Sequence, residues 1–308
     1  MRVFLTFILF GVVSAGVTIA QEAVSPFDHL FFDDFNYSST DDEAFIERGW
    51  IVRSGEGWPG VPGATWRAEG VEVVDDPDDE ANRLMQMTSA TDGTPENTYQ
   101  TQFCQQRKFL EGTYAARVRF SDEPAMGPDG DAIVQTFYTI SPLEYDLDPN
   151  YSELDFEYLP NGGWGFSDNV FFATTWETFR PEPNWLAENT SDWIEASFDG
   201  WHTLIVQVFD GAVTYYVDGD ILAEASDEFF PEVPMSINFN LWFINGGLLD
   251  SDEERAYVEQ IDWVFHAADV ALSPEEVEEA IAEMRKTGVD YVDTVPPLDP
   301  PLESPCDF

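Results

Sequence analysis

Positive charge is the scarcest feature of this sequence. Its 308 residues hold 13 Lys+Arg against 60 Asp+Glu, a formal charge of −47, and its lysines are Lys108 and Lys286. A surface of that sign repels nucleic acid and anionic membranes, which excludes both as partners. Charge at this density also opposes a compact state unless salt screens it, since the Debye length shrinks to about 3 Å at 1 M. Two readings of the acidity stay open: adaptation to a saline or cation-rich setting, and an acidic coat kept for solubility. A monomer is the expected state.

Histidine is nearly as rare, with His29, His202 and His266, which argues against a His-rich zinc site or a His-based triad. Cysteine is limited to Cys104 and Cys306. In an oxidising compartment a bridge tying the C-terminal tail to the body is the expectation, and two unpaired thiols are the alternative. Long apolar runs are missing after the first twenty residues. There, Arg2 precedes the apolar run Val3–Val13, and small residues follow through Ala20. This reads as a signal peptide over residues 1–20, too short to span a bilayer comfortably, with cleavage after Ala15 as the rival. The protein is therefore expected to be secreted and free of the membrane.

Helical periodicity is lacking before residue 270, which makes a βαβ architecture unlikely to arise from this pattern. Hydrophobic content of 44% with 15% aromatics is ample for a core. Short segments rich in Val, Tyr, Phe and Thr, such as 112–120, 132–140, 170–176, 201–209, 212–217 and 235–243, read as strands between Gly, Pro, Asn and Asp. Asp210-Gly211 marks a tight hairpin. A single helix is signalled late: Ser273 as cap, Pro274 at its first position, Glu276 closing a capping box, and Gly288 as its stop. Prolines 296, 297, 300, 301 and 305 then make an extended tail. The expected fold is all-β, an antiparallel sandwich over residues 21–270, with the helix and tail of residues 271–308 packed on it.

The segment with the most chemistry in it is Tyr151-Ser-Glu-Leu-Asp-Phe-Glu-Tyr-Leu159. Alternate side chains of a strand share a face, so Glu153, Asp155 and Glu157 project together with Tyr151, while Leu154, Phe156 and Tyr158 project toward a core. Three neighbouring carboxylates cannot all ionise freely, so at least one pKa should rise. A retaining glycosidase needs that asymmetry, one ionised nucleophile beside one protonated acid. Two other readings remain at this point: a calcium site, and an ordinary patch of an acidic surface.

Glu-Leu-Asp-Phe-Glu-Tyr-Leu (153–159) resembles the signature of glycoside hydrolase family 16. The flanking segments agree in order and spacing: Lys108–Arg119, Gly130–Tyr138, Gly200-Trp-His-Thr-Leu with Val213–Gly219, Pro234–Trp242, and Ile261–Val264. The resemblance spans residues 30 to 267. It implies a concanavalin-like β-jelly-roll whose two antiparallel sheets leave an open cleft for a polysaccharide. It also implies Glu153 as nucleophile, Glu157 as general acid/base, and Asp155 between them holding the nucleophile's geometry. His202 is implied to be structural. Tyr151, Trp176, Asn240, Trp242 and Trp164 are the expected sugar contacts, because aromatic faces stack on pyranose rings while hydroxyls find polar partners. The implied function is retaining endo-β-glycan hydrolysis of a polysaccharide; a transglycosylase or a lectin-like binding jelly roll are the alternatives. No cofactor is required, and a structural calcium is conceivable, with Asp33-Asp34 as one place for it. Phe172 and Thr174 depart from the Gln and Asn usual in lichenases, and the segment 178–198, carrying Trp185 and Trp193, is either a further cleft wall or surface packing.

Overall fold

Side-chain alternation along extended backbone, broken by Gly, Pro and Asp turns, builds a computed structural model that describes residues 27–181, 183–304 and 306. The segment read as a signal peptide lies outside the described residues. The strands are β1 (Leu30–Asp33), β2 (Ile51–Val52), β3 (Thr65–Trp66), β4 (Val71–Asp75), β5 (Arg83–Thr91), β6 (Tyr99–Cys104), β7 (Gly112–Phe120), β8 (Ile133–Ile140), β9 (Glu153–Leu159), β10 (Val170–Arg180), β11 (Leu186–Ile194), β12 (Gly200–Phe209), β13 (Ala212–Val217), β14 (Asp220–Ser226), β15 (Ser236–Phe243), β16 (Arg255–Ala268) and β17 (Tyr291–Asp293). A short helix α1 spans Glu43–Glu47 and a longer α2 spans Pro274–Thr287.

Two sheets face each other. The cleft sheet runs β2-β6-β15-β8-β9-β10-β11, antiparallel throughout. The outer sheet centres on β16, with β7, β12, β13 and β14 to one side and β5, β4 and β1 to the other. This is the two-sheet jelly-roll expected from the sequence. Between the sheets, Phe103, Phe239, Phe137 and Phe156 form a row of stacked rings with centroid spacings of 5.0, 5.2 and 6.1 Å. They come from the core faces of β6, β15, β8 and β9, so the acidic strand is backed by close-packed rings rather than by anything that yields.

The helix forms as its caps dictate. Ser273 accepts from Glu276 N, the Glu276 side chain reaches back to the Ser273 backbone, and Gly288 ends the helix at φ 75°, a conformation that favours glycine. Val277 and Ile281 bury against Phe32, Ile205, Trp263 and Phe265 on the outer sheet, away from the cleft. The tail then returns past β17, and Cys306 forms a disulfide with Cys104 at the end of β6. Of the two alternatives for the cysteines, the structure takes the bridge.

Several of the few cations are committed to specific acids. Arg255 is fully buried against Asp131 at 2.8 Å, Arg285 of α2 spans Asp262, at 2.7 Å, and Asp34, and Lys108 pairs with Asp293. Thirteen cations cannot neutralise 60 acids. The melting temperature is therefore expected to rise as NaCl goes from about 0.01 M to about 1 M, over which the Debye length falls from about 30 Å to about 3 Å. A flat salt series would leave the solubility-coat reading of the acidity.

Candidate active site

The strand β9 begins at Glu153, and its alternation is as the sequence demands. Leu154, Phe156 and Tyr158 are buried in the sandwich core, while Glu153, Asp155 and Glu157 line a cavity of about 490 Å³ on the other face. Register fixes their neighbours. Glu153 lies between Ile140 and Trp176, Asp155 between Tyr138 and Thr174, and Glu157 between Thr136 and Phe172. Glu153 and Glu157 are part-exposed, whereas Asp155 is buried.

The three acids are electrostatically unequal. Burial, followed by repulsion from Glu153, pushes the Glu157 carboxyl up to about 8. Burial also raises Asp155 well above the carboxylate range; the charges of Glu153 and Glu157 and a hydrogen bond to Glu153 add to the rise, while a bond from Trp176 opposes it. Glu157 and Asp155 therefore keep their protons to higher pH than ordinary carboxyls, burial acting first and the charge of Glu153 adding to it in both. Two groups bond Glu153: the Tyr151 hydroxyl donates to Glu153 Oε2 at 2.5 Å, and Asp155 shares a side-chain hydrogen bond with it. Trp176 Nε1 in turn donates to Asp155 Oδ2 at 2.9 Å, which fixes the middle carboxyl from the neighbouring strand.

Aromatic rings wall the cavity at both ends of the acidic strand. Near Glu153 stand Trp176, Trp185 and Trp58; near Glu157 stand Trp242, Trp164 and Phe172. Trp164 lies 6.2 Å from Trp242 and 5.6 Å from Phe172, centroid to centroid. Asn240 is in the floor, its amide donating to Tyr138 Oη at 3.1 Å and its carbonyl accepting from Thr136 Oγ1 at 2.7 Å. Trp164, Trp176, Asn240 and Trp242 all line this cavity.

Tyr151 is a correction. Its ring is completely buried with Tyr138, Ile140 and Phe179, so it offers no face to a sugar; only its hydroxyl reaches the site. Its backbone lies in a turn before the strand, where Tyr151 N bonds Asp148 O, yet the side chain keeps to the Glu153 face; what withholds it from a sugar is the cover of Phe179. The segment 178–198 resolves as the far part of the β10–β11 hairpin, which brings Trp185, Asn189 and Ser191 to the cavity wall. Trp58 and Pro59, from the loop between β2 and β3, were not anticipated; the signal available was a tryptophan set among glycines and prolines in a loop.

Other sequence candidates belong elsewhere. His202 Nδ1 pairs with Asp218 Oδ2 at 2.6 Å, and its ring packs against Phe198, outside the cavity. Asp33 and Asp34 do not fit a calcium ion. The Asp33 carboxylate already accepts from Tyr37, from Trp50 Nε1 at 2.8 Å and from Phe35 N at 2.9 Å, and burial pushes its pKa up to about 6. Asp34 is taken by Arg285. Among the described residues, no cluster of three or more His, Cys, Asp or Glu side chains is arranged to hold a metal ion.

A jelly-roll whose cleft presents three carboxylates between aromatic walls defines a glycan-active class of protein. Within that class the chain belongs to Glycosyl hydrolases family 16, whose sequence model matches residues 64–265. Solved structures with the same fold include a β-glucanase of Bacillus licheniformis, 18% identical, covering 78% of this chain and 98% of that one at a TM-score of 0.55. A β-1,3-1,4-glucanase (lichenase) from a mouse hindgut metagenome is 20% identical over 79% of this chain and 100% of that one, TM-score 0.55. Porphyranase B from Zobellia galactanivorans is 14% identical over 76% of this chain and 89% of that one, TM-score 0.55. Compared by sequence with curated proteins, the chain has no significant match.

Proposed function

We propose that the protein is a secreted, monomeric, retaining endo-β-glycan hydrolase that works without a cofactor. The observation carrying this reading is the placement of Glu153, Asp155 and Glu157 together on the cleft face of β9, in a cavity walled by tryptophans; Glu157, pushed up to about 8 by burial and by the charge of Glu153, suits the acid role. In the first step Glu157 gives its proton to the glycosidic oxygen as the bond from that oxygen to the anomeric carbon breaks. A Glu153 oxygen bonds that carbon from the opposite face, and the leaving saccharide departs carrying the proton. Glu157, now a carboxylate, takes a proton from water as the water oxygen attacks the same carbon. The glycosyl ester breaks, Glu153 regains its charge, and two displacements give retention. Tyr151 and Asp155 serve the second step most directly, because donors that stabilise the Glu153 carboxylate make it a better leaving group.

The anomer formed first, followed by proton NMR during hydrolysis of β-1,3-1,4-glucan, tests the mechanism: the β-anomer is expected, and an α-anomer formed first would sink the assignment of Glu153. That glucan is the first substrate to try because two of the similar structures are glucanases; an algal galactan is the second, given the porphyranase likeness. The pH profile gives a further expectation. The reaction needs Glu157 protonated, so kcat/KM should fall with rising pH through about 8, about tenfold per unit once the proton is lost. The limb belongs to the coupled cluster rather than to one isolated group. A profile still rising at pH 9 would contradict the acid assigned.

A further inference from the structure

In an open jelly-roll cleft, polar side chains on the cleft face of every strand are available to sugar hydroxyls. Here β6 and the Asn238 end of β15 are sealed, while Asn240 and Trp242 further along β15 stay in the cavity. Gln100, Gln102, Cys104 and Asn238 all point to the cleft face, opposite the core-facing Phe103 and Phe239, yet each is at most 1% exposed. Two segments cover the β6 side chains. Gln100 Nε2 donates to Pro59 O at 3.0 Å, and at Gly60 (φ 115°) an added Cβ would lie 1.9 Å from Gln100 Oε1, so the loop carrying Trp58 lies directly on β6. Arg53 from the same loop donates to Gln102 Oε1 at 2.8 Å. The second segment is the tail. Cys306, wholly buried and bonded to Cys104, presents its carbonyl to Gln102 Nε2 and to the Tyr138 hydroxyl, the latter at 3.5 Å. Tyr138 lines the cavity beside Asp155 and also receives the Asn240 amide. The tail is therefore joined through one side chain to the floor of the catalytic cavity, and no β6 residue reaches that cavity.

We infer that the Pro59 loop and the disulfide-held Cys306 segment form an end wall of the glycan groove, limiting how many sugar rings the protein grips on the β6 side. This inference deepens the glycan-binding part of the reading above and does not depend on turnover. A chain entering over β11 and β10 meets the wall at Asn240 and leaves to solvent, so rings beyond that point add no contact. The disulfide holds the wall down. Without it, among the described residues, the tail end keeps the Gln102 and Tyr138 donors on the Cys306 carbonyl and Ser304 Oγ on Gln105 O at 3.2 Å, against the entropy of a proline-rich tail. Released, the tail frees the Nε2 of Gln102, an amide suited to sugar hydroxyls.

Calorimetry with β-1,3-1,4-gluco-oligosaccharides of increasing length, in a Glu153→Gln background that prevents turnover, tests the wall. Affinity is expected to reach a plateau with length. In the same background carrying Cys104→Ser and Cys306→Ser, affinity for the shortest binder should be unchanged, while the longest should bind about tenfold more tightly. Reducing the disulfide of the Glu153→Gln protein with tris(carboxyethyl)phosphine should reproduce that gain without the cysteine substitutions, which covers failure of the double variant to fold. The same length dependence with the disulfide intact and broken would overturn the wall and leave the hydrolase reading standing. Absence of binding at every length would overturn both.

Discussion

Glu153→Gln is expected to lower kcat on a glycan by about 10⁴-fold or more while leaving the melting temperature and oligosaccharide affinity nearly unchanged. The size follows from the role: an amide of the same shape cannot form the glycosyl ester, and removing a covalent nucleophile eliminates the pathway rather than weakening a contact. The fold should survive because Glu153 is part-exposed, whereas the rigid part of β9 is its core face of Leu154, Phe156 and Tyr158. The substitution also has an electrostatic signature. The Glu153 charge helps raise both Asp155 and Glu157, so its removal should lower the pKa of each, and a fluorescence titration reporting Trp176 beside Asp155 should shift to lower pH. Asp155→Asn is the informative companion. It keeps a donor toward Glu153 but removes the proton exchange of the middle group, and a loss of about 10²-fold in kcat with KM unchanged fits a residue that acts through Glu153. Full activity of Glu153→Gln on every glycan it binds would end the assignment.

The acidic strand and its polarity were readable because a period of two is a property of extended backbone alone; wherever β9 is extended, Glu153, Asp155 and Glu157 must share a face. The helix was readable for a similar reason, since Ser273, Glu276 and Gly288 are local devices. Tyr151 keeps the face that alternation gives it, beside Tyr138 and Glu153, but its burial was not readable, because the ring that covers it, Phe179, comes from β10. The end wall was not readable at all. Cys104 and Cys306 announce a possible bridge, but only the register Cys104–Asn238–Tyr138–Asp155 across β6, β15, β8 and β9 reveals that the bridge comes down on the cleft face. Trp58 reaches Phe179 of β10 from a loop anchored on β6, a contact across four strands that no local pattern encodes.

Glu157→Ala is expected to separate the two halves of the reaction. With a natural glycan, whose leaving alcohol needs a proton, kcat/KM should fall about 10²- to 10⁴-fold, the range of general acid catalysis. With an aryl glycoside whose phenol leaves without help, glycosylation of Glu153 should be nearly as fast as before. The glycosyl-enzyme should then accumulate, because no base remains to activate water. Azide should relieve the block: it needs no deprotonation, and truncating Glu157 leaves room between Thr136 and Phe172, its register neighbours. The product should be a β-glycosyl azide, formed by a second inversion at the same carbon. The descending limb of the pH profile near 8 should vanish in this variant, since the group pushed up to about 8 is the one removed. A loss of equal size for good and poor leaving groups, with the alkaline limb intact, would mean that the proton comes from elsewhere in the cleft. Asp155, whose carboxyl burial also raises, would then be the next donor to test.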